Sequence, residues 1–548
     1  MQRRVFSTSV SFLLIALAAI LFPATHCATG YAQLRIAPEA APDAVSELLE
    51  KGRQIEAAGR WSEALSHYER SLHEHPGHQQ IRERLDLARI RYSLQRRYAD
   101  PSFERTTNSI NSQTAMDLYN ELLLKINSHY LEAPKWQQLV TRGTMSLDVA
   151  LGNQTFRDRN LQGAGAEQIS RFRDEMYQVI GRRVIRSRHD ARQAVAEVVE
   201  LARHRLNMRG PAVVFEYAAG ATGGLDTYSA FLTPDQLKDV YSQIEGNFVG
   251  LGVELKADDG ALLIVHVIPG SPAQRAGIRE NDRITAVDGR PTAGLSTDQA
   301  AAMLQGELGT VVQITAASPG QLPRPLKIRR AHVEVPSVEN AHIIDRNFGI
   351  GYLKLPSFQK TTSHDLDTAL WKLDREGMRS LVIDLRGNPG GLLTAAVEVA
   401  DKFLEGGSIV STRGRSPQED FNYTAHQSGT WRVPLTVLID YDSASASEIF
   451  AAAIRDHHRG TIVGVRSYGK GSVQGIFPLG FASAGVRLTT AKFYSPSLKA
   501  ISNVGVEPDI VVREAAKPVG NGATGVGEQQ DLILSAGVDA ARRQLASR

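Results

Sequence analysis

The sequence predicts a multidomain α+β protein, and three observations carry that expectation. The chain has 548 residues, several times the roughly 100 to 200 of a usual domain. Its texture changes twice: helical periodicity dominates to about residue 245, short β-branched runs broken by Gly and Pro follow to about 332, and strands alternate with helices from 335 to 513. Charged residues at 22% and hydrophobic ones at 42% lie near globular averages, which excludes a wholly disordered or polytopic membrane chain. Net charge is +3, from 62 basic and 59 acidic residues, too small and too mixed for a nucleic-acid-binding surface. The single cysteine, Cys27, excludes an internal disulfide and a Cys-based zinc site, so nucleophilic chemistry falls to Ser, Thr, Lys or a carboxylate. No metal or other cofactor is implied.

Residues 1–32 read as a targeting segment. Arg3 and Arg4 precede an uncharged apolar run from Val10 to Phe22, and small residues follow at Ala28 and Gly30. That is the order of a secretory signal, and it predicts export to a periplasm or cell envelope, with the segment either cleaved or kept as a membrane anchor. From 44 to 96 the pattern is helical and rich in Arg and Glu. Leu48, Gly52, Ile55, Ala64, Tyr68, Ser71 and Pro76 fall at spacings that resemble one tetratricopeptide repeat. Arg82 and Asp86 stand where a second repeat would need Leu and Gly, so the helix from Ile81 to Leu94 is expected to act as a cap. A single unit cannot bury its own face. This arm is therefore expected to pack on another domain or on a second copy of the chain, either as a plain helical hairpin or as a dimer or adaptor contact. Residues 105–245 continue as amphipathic helices, with Ala115, Leu118, Leu122, Ile126 and Tyr130 on one face. The Arg-rich stretch from Gly181 to Arg192 reads as a solvated face, because acidic residues interleave nearby and no aromatic accompanies it.

After Asn247, Gly250-Leu251-Gly252 forms a loop leading into a strand. A strand from Leu262 to Ile268, a turn at Pro269–Pro272, a short helix at Ala273–Ala276 and a strand ending at the Asp288-Gly289 turn follow. Ser296-Thr-Asp-Gln299 is a capping box for a helix through Leu304. Residues 246–332 so ordered resemble a PDZ domain of the bacterial protease type, a small β-barrel-like module. The resemblance implies that Gly250, Leu251 and Gly252 turn backbone N–H groups toward a peptide's terminal carboxylate while the peptide adds as a strand. Amides converge on an anion this way only where no Cβ intrudes.

Two places in the last third concentrate unusual residues: a strand running into Gly387-Asn-Pro-Gly-Gly391, and a strand running into Ser443-Ala-Ser-Ala-Ser-Glu448, with Gly469-Lys-Gly471 beyond it. Gly464 to Lys470 satisfies most of a phosphate-loop pattern, but Gly471 stands where the magnesium-binding Ser or Thr is required, and Val473 to Leu479 does not read as a helix. The alternative is a lysine general base serving a serine nucleophile. Lowering a lysine from about 10.4 to about 7 takes roughly 4 to 5 kcal/mol, which burial without a carboxylate partner supplies. Spacing leaves Ser443, Ser445 and Ser447 open as nucleophile, and Ser445 with Glu448 also fits a capping box. A serine starting a helix has free N–H groups beside it for a developing oxyanion.

Ser443-Ala-Ser-Ala-Ser-Glu-Ile449, Gly469-Lys-Gly-Ser-Val-Gln474, Asp384-Leu-Arg-Gly-Asn-Pro-Gly-Gly391, Gly505-Val-Glu-Pro-Asp509 and Gly224-Leu-Asp-Thr-Tyr-Ser-Ala-Phe-Leu-Thr-Pro234 together resemble the carboxyl-terminal processing proteases, the S41 serine peptidases. The similarity covers roughly residues 110 to 548. It implies an α/β core of the ClpP/crotonase-like type over 335–513, then a linker and C-terminal helix over 514–548. It implies Ser445 as nucleophile, Lys470 as base at the family's 25-residue interval, and Gln474 as the residue orienting the lysine. Ala446 and Gly390 would form the oxyanion hole. The implied activity is endoproteolysis of proteins with free C-termini, without cofactor. His457 and His458, the nearest candidates for a triad, read as surface residues at a helix end. Leu498 departs from the family's glycine and puts the local loop geometry in question. The competing readings are a non-catalytic scaffold of arm and PDZ module, and a crotonase-like acyl-CoA enzyme.

Overall fold

The computed structural model describes residues 44–258, 261–293, 303–426, 430–512 and 531–547. The signal-like segment with Cys27, and the capping box at 296–299, lie outside the described residues.

Three helices, Ala44–Ala57, Trp61–Glu74 and Gln79–Ala99, form the arm. The third is longer than the expected cap and leaves the arm at its far end. Its Leu94 and Tyr98 enter the apolar core of the following domain, and its Arg97 forms an ion pair of 2.7 Å with Glu216 at 3% and 0% side-chain exposure. Arg142 reaches back to Asp86 at 2.8 Å. Of the two packing partners the sequence left open, the arm uses its own chain. The helical domain wraps Ser112–His129, Trp136–Leu151, Ala166–Gly181 and Arg188–Leu206 around Gly210–Gly223, of which all but the last residue are buried. The face read from the sequence, Ala115, Leu118, Leu122 and Ile126, is the buried one.

The next module is an antiparallel sheet in the order Val253–Asp258, Ala261–Val267, Arg283–Val287, Val311–Ala317, Arg324–Arg329. Asp288 and Gly289 both take positive φ, 48° and 76°, as a tight two-residue hairpin requires. Asn247–Gly250 and Ala331–Glu334, which lead into and out of the module, pair with each other rather than with its sheet. They form a two-stranded stem.

The core sheet runs Glu339–Asp345, Ile350–Lys354, Ser380–Asp384, Leu435–Ile439, Thr461–Gly464, Ile510–Val511, parallel throughout except for its first strand. Because side chains alternate along a strand, Leu381 and Ile383 face the helices Thr362–Arg375, Leu393–Asp401 and Ala446–Asp456, while Val382 faces the C-terminal helix Leu532–Ala546. Burial on both faces explains why these strands read as continuous apolar runs. A second sheet, centred on Gly485–Tyr494, carries Ser472–Pro478 on one edge and joins the core to the helical domain through Ala230–Leu232. The strand at 472–478 occupies the place where a phosphate loop needs a helix. Among the described residues no helix is long and apolar enough to cross a membrane.

Candidate active site

Three adjacent parallel strands end on the same side of the sheet, and each delivers one part of the site. Ser380–Asp384 leads into the loop 385–391, Leu435–Ile439 into the Ser443–Ser447 turn, and Thr461–Gly464 into the Lys470 turn. Open parallel sheets place their sites at the carboxyl ends of strands for this reason.

The first loop is fixed from below. Asp384, nearly fully buried, accepts from Tyr352 Oη at 2.9 Å and takes Arg386 in a two-pronged contact at 2.7 and 3.1 Å. Arg386 also reaches Asp531 at 2.7 Å, the cap of the C-terminal helix. Asp440 accepts from the Gly387 N–H at 3.0 Å. Asn388, fully buried, then ties this loop to the next: its carbonyl accepts from Ala444 N and from Ser447 Oγ, both at 3.0 Å. Gly390 has φ +104°, and a Cβ there would stand 2.7 Å from Ser445 Cβ and 2.9 Å from Ala446 N. Only glycine permits that approach.

The three serines separate cleanly. Ser443 Oγ donates to the Leu385 carbonyl at 2.8 Å and Ser447 Oγ to that of Asn388 at 3.0 Å, both residues being fully buried. Ser445 is half-buried, and its hydroxyl makes no hydrogen bond among the described residues. Its backbone sits at φ 57°, ψ −113°, a conformation costing on the order of 1–3 kcal/mol in a non-glycine residue, at a sharp strand-to-helix turn. The Ala446 N–H, first in its helix, is likewise unpaired among the described residues.

Glu448 joins the second turn to the third. It is fully buried and accepts from Ser445 N at 2.8 Å, Lys470 N at 2.9 Å, Gly469 N at 2.6 Å and Ser467 Oγ at 2.6 Å. Burial pushes its carboxyl up, against these donors, which favour the ionised form. The capping box read from the sequence is half present: the carboxylate takes the Ser445 N–H, but the Ser445 hydroxyl is left free.

Lys470 is half-buried, with its ammonium nitrogen 5.0 Å from the centroid of the Tyr228 ring and no hydrogen bond from Nζ among the described residues. Burial and the nearby Arg487 guanidinium push its amine below the ordinary lysine range, opposed by Glu448. Gln474 makes no hydrogen bond to it; the Gln474 amide donates to Ser472 Oγ at 2.9 Å. The Gly390 N–H is also engaged, by Asn388 Oδ1 at 2.8 Å. His457 bonds the Ser408 carbonyl at 2.7 Å and stays with that strand.

One cavity of about 910 Å³ is lined both by Ser445, Lys470, Gln474 and Gly390 and by Gly250, Leu251 and Gly252. The Leu251 and Gly252 N–H groups carry no hydrogen bond among the described residues. A Cβ at Gly252, whose φ is +81°, would meet Ser271 at 2.3 Å.

Asn388, Glu448 and Tyr228 escaped sequence reasoning as site residues. Glu448 was visible only as a cap, since its other partners lie a strand away, while Asn388 and Tyr228 stood inside quoted motifs with no local sign of their role.

Residues 349–512 match Peptidase family S41, and residues 263–317 a PDZ domain. A carboxy-terminal-processing protease of Bartonella bacilliformis is 40% identical over 296 residues, which are 53% of this chain and 67% of that protein. A carboxyl-terminal-processing protease of Picosynechococcus is 33% identical over 319 residues, 57% of this chain and 75% of that protein. The solved structure of a photosystem II D1 C-terminal processing protease is 26% identical, with a TM-score of 0.37, and covers 73% of this chain and 92% of its own.

Proposed function

Since the chain belongs to the carboxyl-terminal-processing proteases of peptidase family S41, we propose that it is a serine endopeptidase with a Ser445/Lys470 dyad that selects proteins by their C-terminal tails through its PDZ module. The observation that carries this reading is the shared cavity: the free Ser445 hydroxyl, the Lys470 amine and the unpaired amides of the Gly250–Gly252 loop all open onto it.

Neutral Lys470 takes the Ser445 proton as Oγ attacks the scissile carbonyl, then returns it to the leaving amine, and water releases the acyl group. The Ala446 N–H meets the developing oxyanion, joined by that of Gly390 once Asn388 Oδ1 gives it up. The serine hydroxyl and the lysine amine are not hydrogen-bonded to each other in the structure, and catalytic contacts of this kind tighten once the carbonyl is in place. Gln474 turns from Ser472 to the lysine in the same step. The signal-like first residues support an exported enzyme of the periplasm or cell envelope.

The test is digestion of an unstructured tail peptide by the wild type, Ser445→Ala and Lys470→Ala. Loss of cleavage in both variants is expected; equal cleavage by all three overturns the dyad and favours the scaffold reading. Amidating the peptide's C-terminus is expected to weaken its binding, and unchanged affinity would remove the carboxylate-reading role from Gly250, Leu251 and Gly252.

A further inference from the structure

A second cavity, of about 420 Å³, lies between the arm and the protease body. Leu65, Glu69, Arg89 and Arg96 of the arm line one side of it, and Phe231 and Gln236 the other. Asp239, Val240, Gln243 and Arg487 line this cavity and the catalytic one alike, so the two are neighbours across these four residues.

We propose that this second cavity is a subsite for an extended polypeptide, continuous with the catalytic cavity, and that the helical arm is its outer wall. Three observations support this beyond the shared lining. The arm rests on the Ser445 turn and through it adjoins the Lys470 turn: the His73 ring lies 5.5 Å from that of Tyr441, just before Ser443, and Tyr441 lies 5.6 Å from Tyr468, two residues before Lys470. The arm is also held rigidly, by the buried Arg97–Glu216 pair. Finally, the junction offers unused donors. Arg487 spends its Nε on the Tyr228 carbonyl at 2.8 Å and forms no ion pair among the described residues. Gln243 has no side-chain hydrogen bond among them.

A guanidinium with open N–H groups and a free carboxamide, both on the lining the two cavities share, suit a chain of peptide carbonyls and amides. The rest of the wall mixes both signs, with Arg89 paired to Glu69 at 3.4 Å and Arg142 to Asp86 at 2.8 Å, which suits a neutral backbone better than a polyanion. Pockets of a few hundred Å³ accept ligands of this scale.

The inference adds a substrate path to the peptidase reading and rests on it only for the chemistry at the far end. Gly223 lines the second cavity, has nothing within 4 Å of a Cβ and has no positive φ, so the backbone there accepts a side chain and Gly223→Trp is chosen to fill the proposed subsite. The substrates are a long unstructured polypeptide and a short quenched peptide with the same cleavage site and the same C-terminal residues. Gly223→Trp is expected to lower kcat/KM for the long one by about 10-fold and for the short one by less than about twofold. Equal effects on both, or none on either, overturn the proposal. Independently, a benzophenone amino acid at exposed position 96 in the Ser445→Ala chain is expected to capture the long polypeptide on irradiation, and no capture there overturns it. Because the capture reads binding alone, failure of the dyad would leave it unchanged.

Discussion

Replacing Glu448 by glutamine tests whether one buried carboxylate holds the proposed nucleophile and base, Ser445 and Lys470, in register. The change keeps the shape of the side chain and converts one acceptor oxygen into an NH₂ group. If that group replaces Oε2, the Ser445 and Lys470 N–H groups both face a donor. If it replaces Oε1, only the Gly469 N–H is stranded, because the Ser467 hydroxyl can turn to accept. The second arrangement is cheaper and still leaves one buried N–H unpaired, about 1–3 kcal/mol. Where that energy displaces the Lys470 turn relative to Ser445, kcat falls by about 5- to 150-fold. Glu448 is fully buried and does not line the cavity, so KM should hardly move.

A merely structural cap would not predict the accompanying pH effect. The Glu448 charge favours protonated Lys470, so removing it lowers the lysine's pKa further and moves the ascending limb of kcat to lower pH. The assay is hydrolysis of a quenched tail peptide across pH, with circular dichroism and a thermal melt to establish folding. A folded Glu448→Gln protein with kcat within about twofold of wild type and an unmoved limb would refute the reasoning.

Arg487→Gln should move the same limb the other way. Losing a neighbouring cation raises the Lys470 pKa, and because the proposed mechanism needs Lys470 neutral, activity should then appear only at higher pH in a kcat/KM profile. Gly390→Ala forces a Cβ to 2.7 Å from Ser445 at φ +104°; cleavage should fall by about 100-fold, measured with the quenched peptide. Leu498 sits at φ 61° and is 72% exposed, so it bears left-handed strain without any packing return. Leu498→Gly should stabilise by about 0.5–1 kcal/mol, read from the denaturant midpoint, with cleavage unchanged. Arg97→Met strands Glu216 at zero exposure and should cost about 3–5 kcal/mol in urea unfolding.

The parts of this molecule legible in its sequence are those whose cause is local. Continuous apolar runs ending in loops rich in glycine or in small serine and alanine residues announce parallel strands with a candidate site at their carboxyl ends, and Lys470 and Ser445 stand on one loop of each kind. Asp288-Gly289 announces its hairpin because few other residues tolerate two positive φ values in a row. Leu498, the departure from the family's glycine, proves to occupy the left-handed conformation glycine would relieve. What stayed hidden depends on pairing across the sheet. Spacing could not rank Ser443, Ser445 and Ser447, because the ranking depends on which hydroxyls the neighbouring loop consumes, and Asn388 and Leu385 supply those acceptors from another strand.

The arm shows the same boundary from its other side. Its periodicity established that one face had to be covered, and a lone helical unit has no means of specifying by what. The answer is written in Arg97 and Glu216, 119 positions apart, neither of which is remarkable among its neighbours. A buried charge is tolerable only with its partner in place, so this pair fixes the arm against the body and, through it, the second helix against Tyr441. An appendage chosen only for recruitment would gain nothing from such an anchor and could hang from a flexible linker. Rigid placement beside the Ser445 turn is the geometry expected of the proposed wall, which is why breaking the Arg97–Glu216 pair should disturb the handling of long substrates before it disturbs the cleavage of short ones.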